Sequence, residues 1–392
     1  MKNNWEKVKL GDICGYSRSR IPTSEVNLYN YVSTENLLKE RAGKTIADSI
    51  PEQANLCEYN NGCTLISNIR PYFKKIWFAN IRGGCSNDVL VYRPNKGIND
   101  KWLYYLLSQD SFFDFVMSGA KGTKMPRGDK SQIMKFSVAL PPLDEQRKIA
   151  GILSALDDKI ELNNKINRNL ETQAQAIFKS WFVDFEPFKN GKFIDSELGK
   201  IPEYWQVVKF SEFLKPRIEK INNSTITEYS VTNNGIFKRD EKFKKRLSGA
   251  KTFNKIIYYA DMVFGMSREI LNWGLMRDQI GSVSSAYTVF SVNTELVDLS
   301  YLEFFMRYHH EYFKSIIRLA SREGQGIDKA VLFNKCVIIP DTNAIARFLE
   351  ILNSISNSRL AINEESRRLV QLRDALLPKL MSGEIDVANV AV

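Results

Sequence analysis

Residues 149–181 read IAGILSALDDKIELNNKINRNLETQAQAIFKSW, and the spacing of their apolar side chains decides the fold. Apolar residues recur at alternating intervals of four and three, which is the a/d pattern of a helix that packs along a seam. The pattern continues for more than four heptads without a proline. The predicted seam positions are Ile149, Leu153, Leu156, Ile160, Asn163, Asn167, Leu170, Ala174, Ile177 and Trp181.

A second segment repeats this register 199 residues later. Its apolar seam positions are Phe348, Leu352, Ile355, Ile362, Leu369, Leu376 and Leu380. Three further positions of the same seam are polar, namely Arg359, Ser366 and Arg373. Because proline lacks a backbone N–H, Pro378 is expected to kink or end this second helix near Leu377.

The two helices are predicted to pair with each other as an antiparallel coiled coil. A helix of about 33 residues spans roughly 50 Å at 1.5 Å per residue, so the pair would place two domains at opposite ends of a rod. Pairing between two chains is an alternative that periodicity does not exclude. Asn163 and Asn167 either hydrogen-bond across the seam and fix its register, or are solvated where the seam twists away.

The sequence contains an internal repeat, with offsets of 198 to 200 residues between matching motifs. WEKVKL at 5–10 returns as WQVVKF at 205–210, and YVSTEN at 31–36 returns as YSVTNN at 229–234. LIS at 65–67 followed by Arg70 matches VFG at 263–265 followed by Arg268. LP at 140–141 and IL at 152–153 match IP at 339–340 and IL at 351–352. Five matches in order indicate an internal duplication.

Each copy begins with about 140 residues of short strand-like runs, such as GCTLIS at 62–67 and DVLVY at 88–92. A helical piece lies inside, WLYYLL at 102–107 in one copy and YLEFFM at 301–306 in the other. Proline then closes the domain, and a long helix follows. The predicted fold class is therefore α+β: two β-rich domains alternate with two long helices in a pseudo-two-fold internal repeat.

The composition is that of a soluble, basic protein. Lysine and arginine number 55 against 45 aspartates and glutamates, a formal net charge of +10 that suits a polyanionic partner. The five cysteines show no C-x-x-C spacing, so we expect reduced thiols and no zinc site. The first residues lack the apolar core of a signal peptide, and no apolar run is long enough to cross a membrane. A cytoplasmic protein with no membrane association is expected.

Two motifs resemble the conserved regions of the DNA-specificity subunits of type I restriction–modification systems. PPLDEQRKIA at 141–150, with DDKI at 157–160 and AIFKSWFVDF at 176–185, is similar to their central region. LRDALLPKLMSGEI at 372–385 is similar to their distal region. Together with the duplication, the resemblance covers nearly the whole chain.

The resemblance implies a non-catalytic reader of double-stranded DNA, with one half of a bipartite site read by each β-rich domain. The helices would form the spacer and dock two methylation subunits, and restriction subunits would join. S-adenosylmethionine, ATP and Mg²⁺ would belong to those partners, so no cofactor is expected on this chain.

The implied domains follow the repeat. They are target-recognition domain 1 at residues 1–141, a central conserved helix at 142–184, a linker at 185–203, target-recognition domain 2 at 204–340, a distal conserved helix at 341–384 and a tail at 385–392.

No motif predicts catalysis or metal binding. The Pro-Pro pair at 141–142 lacks the following aromatic that an adenine methyltransferase needs, and no phosphate-binding glycine loop is present. His309 and His310 are adjacent, so on a helix they point in different directions and cannot share a metal. Two alternatives stay open at this point: a coiled-coil adaptor whose basic charge is incidental, and a stand-alone restriction endonuclease.

Contacts to DNA are expected from cations in loops of the β-rich domains, because lysine and arginine bind phosphates and arginine reads guanine. Candidates in the first domain are Arg18, Arg20, Lys74, Lys75, Lys121, Lys124, Arg127 and Lys130. Candidates in the second domain are Arg217, Lys238, Arg239, Lys244, Lys245, Arg246, Arg268, Arg322 and Gln325.

Overall fold

Two helices of 40 residues each, Leu143–Phe182 and Thr342–Met381, cover the two heptad segments; we name them the central helix and the distal helix. The computed structural model describes residues 5–221, 226–239, 254–267, 269–317, 326–388 and 390. The chain divides into two units, one of residues 1–166 with 361–392 and the other of residues 167–360. Each unit therefore contains about half of each long helix.

The distal helix continues through Pro378 to Met381, so the expectation that it would end near Leu377 was wrong, while the alternative of a kink there stays a prediction. Pro378 lies in the last turn, where only one intrahelical bond is lost for want of its N–H. Leu377, Leu380 and Met381 are buried in the core of the first unit, and this packing holds the final turn in place.

In the first unit, polar side chains join the two helices. Arg373 Nη1 donates to Asp157 Oδ1 at 2.8 Å, and the second oxygen of that carboxylate accepts the Tyr105 hydroxyl at 2.7 Å. The Asn163 amide, 1% exposed, donates to Glu365 at 2.8 Å and to the Ser366 hydroxyl at 3.2 Å. Asn163 thus bonds across the helices rather than to solvent.

In the second unit, the helices meet through aromatic side chains. Phe182 packs edge-on against Phe348 and Tyr301, with ring centroids 4.9 and 5.0 Å apart, and Phe178 contacts both of those rings. Further along, Arg359 Nη2 lies 3.2 Å from Glu171 Oε2. All the predicted apolar seam positions are buried or half-buried.

The β-rich part of the first unit contains ten strands, named in chain order. They are β1 Glu6–Lys9, β2 Cys14–Tyr16, β3 Arg20–Pro22, β4 Tyr31–Val32, β5 Asn55–Tyr59, β6 Thr64–Ser67, β7 Ile76–Phe78, β8 Gly83–Cys85, β9 Val89–Pro94 and β10 Ser137–Leu140. The helices are Leu10–Ile13, Asp100–Ser108, Asp110–Ser118 and Lys130–Ile133, with 3₁₀ turns at Thr23–Glu25 and Pro71–Phe73.

Strands β2-β9-β6-β7 form one sheet and β3-β5-β8-β4 another, while β1 pairs with β10. The side chains of β6, Thr-Leu-Ile-Ser, are all buried, which explains its continuous rather than alternating pattern. One core cluster packs Trp102, Phe112 and Phe113 against Ile149 and Leu153 of the central helix. This cluster fixes the β-rich part to the start of that helix.

The second unit repeats this plan over its described residues. Its strands are β11 Phe193–Ser196, β12 Gly199–Pro202, β13 Gln206–Lys209, β14 Leu214–Arg217, β15 Tyr229–Thr232, β16 Gly235–Lys238, β17 Lys255–Tyr258, β18 Asp261–Phe264, β19 Trp273–Leu275, β20 Ile280–Val283, β21 Thr288–Val292 and β22 Cys336–Ile339. Its helices are Phe210–Phe213, Leu299–Tyr308, His310–Lys314 and Lys329–Phe333, with a 3₁₀ turn at Glu186–Phe188.

The sheet β14-β21-β18-β19 has the strand order of β2-β9-β6-β7, and β13 pairs with β22 as β1 pairs with β10. Local devices recur as well. Trp5 Nε1 donates to Glu145 at 3.1 Å, and Trp205 Nε1 donates to Asp341 at 2.9 Å. Each unit thereby ties its opening tryptophan to the residues where its long helix begins. Within the described residues, no helix is long and apolar enough to cross a membrane.

We expect Asp157→Asn to lower the free energy of unfolding by about 1–3 kcal/mol, because Arg373 would lose one of its two charged acceptors in a half-buried position and keep only Asp374. Urea denaturation measures the change. Glu364→Gln is the matched control, since it removes exposed pairs with Arg367 and Arg368 that contribute at most about 0.5 kcal/mol each. Equal stability of Asp157→Asn and the wild type would contradict the expectation.

Candidate nucleic-acid interface

The loop at residues 121–130 is a short folded arm on the first β-rich domain. Lys121 and Arg127 exchange two backbone hydrogen bonds of 2.9 Å, which close the loop at its base. Asp129 caps the helix Lys130–Ile133 by accepting the N–H groups of Ser131 and Gln132 at 2.9 and 3.1 Å. The pKa of Asp129 is held below its usual value, first by the Gln132 N–H and then by Lys121.

All four cations predicted in this loop are exposed, but they differ in their partners. Lys121 lies 3.0 Å from Asp129, and Arg127 lies 3.2 Å from Asp88. Within residues 5–221, no ion pair is found for the Lys124 and Lys130 side chains. Exposed pairs contribute little, so a phosphate can replace either carboxylate at small cost.

Lys74 and Lys75 have internal roles. Lys74 Nζ lies 2.7 Å from Asp110, which also pairs with Arg41, and the Lys74 hydrogen bond is the main reason that the pKa of Asp110 is lowered. Lys75 donates to the Thr34 carbonyl, and burial lowers the pKa of its ammonium group. Both lysines hold the turn at residues 70–75 in place.

Arg18, in the connection between β2 and β3, and Arg20, the first residue of β3, are both exposed. Arg20 Nη1 donates to Asn87 Oδ1 at 3.3 Å, and Asn87 is next in the chain to Asp88, the partner of Arg127. Arg20 and the loop 121–130 therefore border the same short segment of chain.

Arg217 in the second domain stabilises a buried carboxylate. Its Nε lies 2.7 Å from Asp261, whose side chain is fully buried, and its guanidinium lies 4.8 Å from the Tyr258 ring centroid. Burial raises the pKa of Asp261, although the Tyr258 N–H and Arg217 both favour the charged form. The structure thus gives Arg217 a structural partner.

Lys238 is exposed and lies 3.5 Å from Asp278, and half-buried Arg239 donates to the Ser230 hydroxyl at 2.8 Å. The remaining candidates, Lys244, Lys245, Arg246, Arg268, Arg322 and Gln325, lie outside the described residues.

The sequence analysis did not single out Met125 in the loop, or Arg70 and Tyr72 beside it, as candidate DNA contacts. Tyr72 and Met125 are 45% and 49% exposed, so both side chains lie at the surface. Arg70 donates its backbone N–H to the Pro126 carbonyl at 2.9 Å, so the turn and the loop form one surface. The sequence carried one signal of it, the repeated arginine at positions 70 and 268.

Within the described residues, no group of three or more histidine, cysteine, aspartate or glutamate side chains could hold a metal ion. The five cysteines are free thiols.

The family model for a type I restriction modification DNA specificity domain matches residues 2–172. Two proteins of Methanocaldococcus jannaschii, the MjaIX and MjaVIII specificity subunits of type I restriction enzymes, are 24% and 28% identical to this chain over 98% of its length and 94% of theirs. Residues 2–172 thus match the specificity-domain family, and the chain over nearly its whole length is similar to type I specificity subunits.

A solved structure agrees with the mixed α+β fold. The S subunit of a type I restriction–modification system from M. genitalium aligns with a TM-score of 0.53 over 97% of both chains, at 13% identity. At this identity the likeness concerns the fold alone, and it confirms the predicted fold class at the level of helices combined with β-rich sheets.

We expect Gly128→Ala to destabilise the protein by about 1–3 kcal/mol, because the packed loop has no room for a methyl group. The added Cβ would lie 2.8 Å from Val116, 2.9 Å from Asn68 Oδ1 and 3.0 Å from Ile133. Faster tryptic cleavage within residues 121–130 should accompany the loss of stability. Gly15→Ala, where nothing lies within 4 Å, is the neutral control. Unchanged cleavage and stability in Gly128→Ala would refute this packing role.

Proposed function

We propose that this specificity subunit reads a bipartite double-stranded DNA target, one half-site with each β-rich domain. The observation that carries the proposal is that both units combine the same sheet order, the same opening tryptophan contact and the same long helix at the end. Two copies of one reading device suit a target of two halves. The net charge of +10 favours the approach of DNA.

We further propose that the central and distal helices form an antiparallel coiled coil and that the chain is a pseudo-two-fold repeat. In the first unit, Asp157 pairs with Arg373 and Asn163 pairs with Glu365. Residue numbers therefore rise along the central helix while those of their partners fall along the distal helix, as in an antiparallel pair. In the second unit Glu171 bonds Arg359, which continues the same order. Each polar seam position of the distal helix thus has a polar partner on the central helix.

The domain boundaries given by the sequence are part of the same proposal, with residues 1–141 and 204–340 as the two recognition domains. The linker at 185–203 holds the β11–β12 hairpin, and Phe185 and Phe188 pack on Trp205. Val387 of the tail is fully buried in the first core. Both segments anchor the domains beside them.

We also propose two methylation subunits and additional restriction subunits as partners, in the cytoplasm. In this arrangement S-adenosylmethionine, ATP and Mg²⁺ are bound by the partners. The adaptor and stand-alone endonuclease alternatives are separated from this proposal by the experiments below.

Assembled with its methylation partners, the chain should direct adenine methylation to a bipartite site, and alone it should produce no methylation or cleavage. Exchanging residues 1–141 for those of another specificity subunit should change one half-site only. Long-read methylome sequencing of an expression strain measures both results. Methylation without a bipartite pattern, or cleavage by the chain alone with Mg²⁺, would refute the proposal.

Lys124→Gln should reduce the slope of log K against log salt by about 0.9, because the variant removes one lysine that would bind a DNA phosphate. Lys74→Gln should leave the slope unchanged and lower stability, because Lys74 is engaged by Asp110. Fluorescence anisotropy with a target duplex at several salt concentrations measures the slopes. If the DNA affinity of the wild type and of both variants does not change with salt concentration, the chain is an adaptor whose basic charge is incidental.

A further inference from the structure

The turn at residues 70–74 has an unusual backbone. Arg70 and Lys74 both adopt left-handed conformations, with φ of 50° and 49°, on either side of the 3₁₀ turn Pro71–Phe73. The segment facing it does the same, since Glu40 and Arg41 have φ of 53° and 61°. Such conformations are costly for residues other than glycine and persist only where the surroundings impose them.

The surroundings hold the turn at several points. The N–H groups of Glu40 and Arg41 donate to the carbonyls of Phe73 and Lys74 at 2.9 and 3.0 Å. The ammonium group of Lys39 lies 4.1 Å from the Phe73 ring centroid. With the Lys74–Asp110 pair, these contacts make the turn a rigid element.

The side chain of Arg70 is the exception in this well-bonded turn. It is half-buried, and its Nε is buried without a hydrogen-bond partner among the residues that the structure describes. Burying a guanidinium group without an acceptor costs free energy, so such a group calls for an explanation.

The other arginines within residues 5–141 do not share this state. Those with carboxylate partners are Arg41, Arg82 and Arg127, and those with amide or hydroxyl partners are Arg20 and Arg93. Arg18 is exposed and solvated by water. Among the arginines of this fully described range, Arg70 is the one that is half-buried with a buried Nε that has no hydrogen-bond partner.

We propose that Arg70 reads a guanine in the half-site of the first recognition domain, an inference that rests on the proposed function. Guanine presents O6 and N7 side by side in the major groove, and two parallel N–H donors of a guanidinium match them. The rigid turn fixes the position of the Arg70 backbone, and the burial of Nε limits the directions in which the guanidinium group can extend. Exposed Tyr72 places the turn at the surface, beside the cations of the loop 121–130.

The backbone gives the proposal an independent test. Asparagine tolerates the left-handed conformation better than arginine does, so Arg70→Asn should keep or raise the melting temperature. If Arg70 is present for base reading, Arg70→Asn should lose base discrimination without losing thermal stability. Arg70→Lys keeps the charge but removes the fork.

The experiment measures binding of the complex assembled with its methylation partners to duplexes in which each base pair of the target is replaced in turn. Arg70→Asn and Arg70→Lys should each lose roughly 5- to 150-fold discrimination at one G·C pair of the first half-site, with the second half-site unchanged. Arg82→Lys, whose guanidinium is paired with Glu25 and Glu58, should change no position.

Four results would overturn the assignment. They are a first half-site without a G·C pair, unchanged discrimination in both variants, equal weakening at every position with a smaller salt slope, and unfolding of both variants. Equal weakening would make Arg70 a phosphate contact, and unfolding would make it a structural residue. If the wild-type complex itself shows no sequence preference, the proposed function fails rather than this assignment alone.

Discussion

The carboxylate of Asp157 is the point on which the first unit depends, because it joins three separate stretches of chain. One oxygen accepts the Tyr105 hydroxyl from the β-rich domain, and the other accepts Arg373 from the distal helix. The carboxylate itself belongs to the central helix. A charged group with two directed hydrogen bonds fixes distance and rotation, which apolar packing alone leaves adjustable. The neighbouring Asn163 bonds add the same directional control one and a half turns further on.

In the second unit, aromatic side chains join the two long helices and the β-rich domain. Phe178, Phe182, Phe348 and Tyr301 interlock where the unit's halves of the two helices meet a helix of the β-rich domain. Edge-to-face rings prefer particular geometries, so they also fix orientation, but less strictly than an ion pair does. The two units therefore share a sheet order but differ in the contacts that join the long helices.

The cations of the two β-rich domains differ in whether they pair with other protein groups. Lys74, Lys75 and Arg217 support turns and buried groups, whereas Lys124 and Lys130 extend into solvent from the loop. Arg70 belongs to neither group, because it stands on a restrained turn and its buried Nε has no hydrogen-bond partner among the described residues. A surface that reads DNA needs both exposed cations for phosphates and fixed donors for bases. The first domain offers both within one contiguous turn and loop.

The sequence by itself determined the periodic features of this protein: two heptad segments, the matching strand-like runs and the motifs that resemble type I specificity subunits. These follow from local chemistry, since helix and strand periods and a repeated motif can be read along the chain. Tertiary structure alone decided which polar groups meet. Asp157 and Arg373 are separated by 216 positions, so no local pattern pairs them. The same holds for Lys74, which resembled a free surface lysine until Asp110 was placed beside it, and for Pro378, whose helix is sustained by packing. Whether a cation is available to DNA depends on its spatial neighbours, and only the folded chain supplies them.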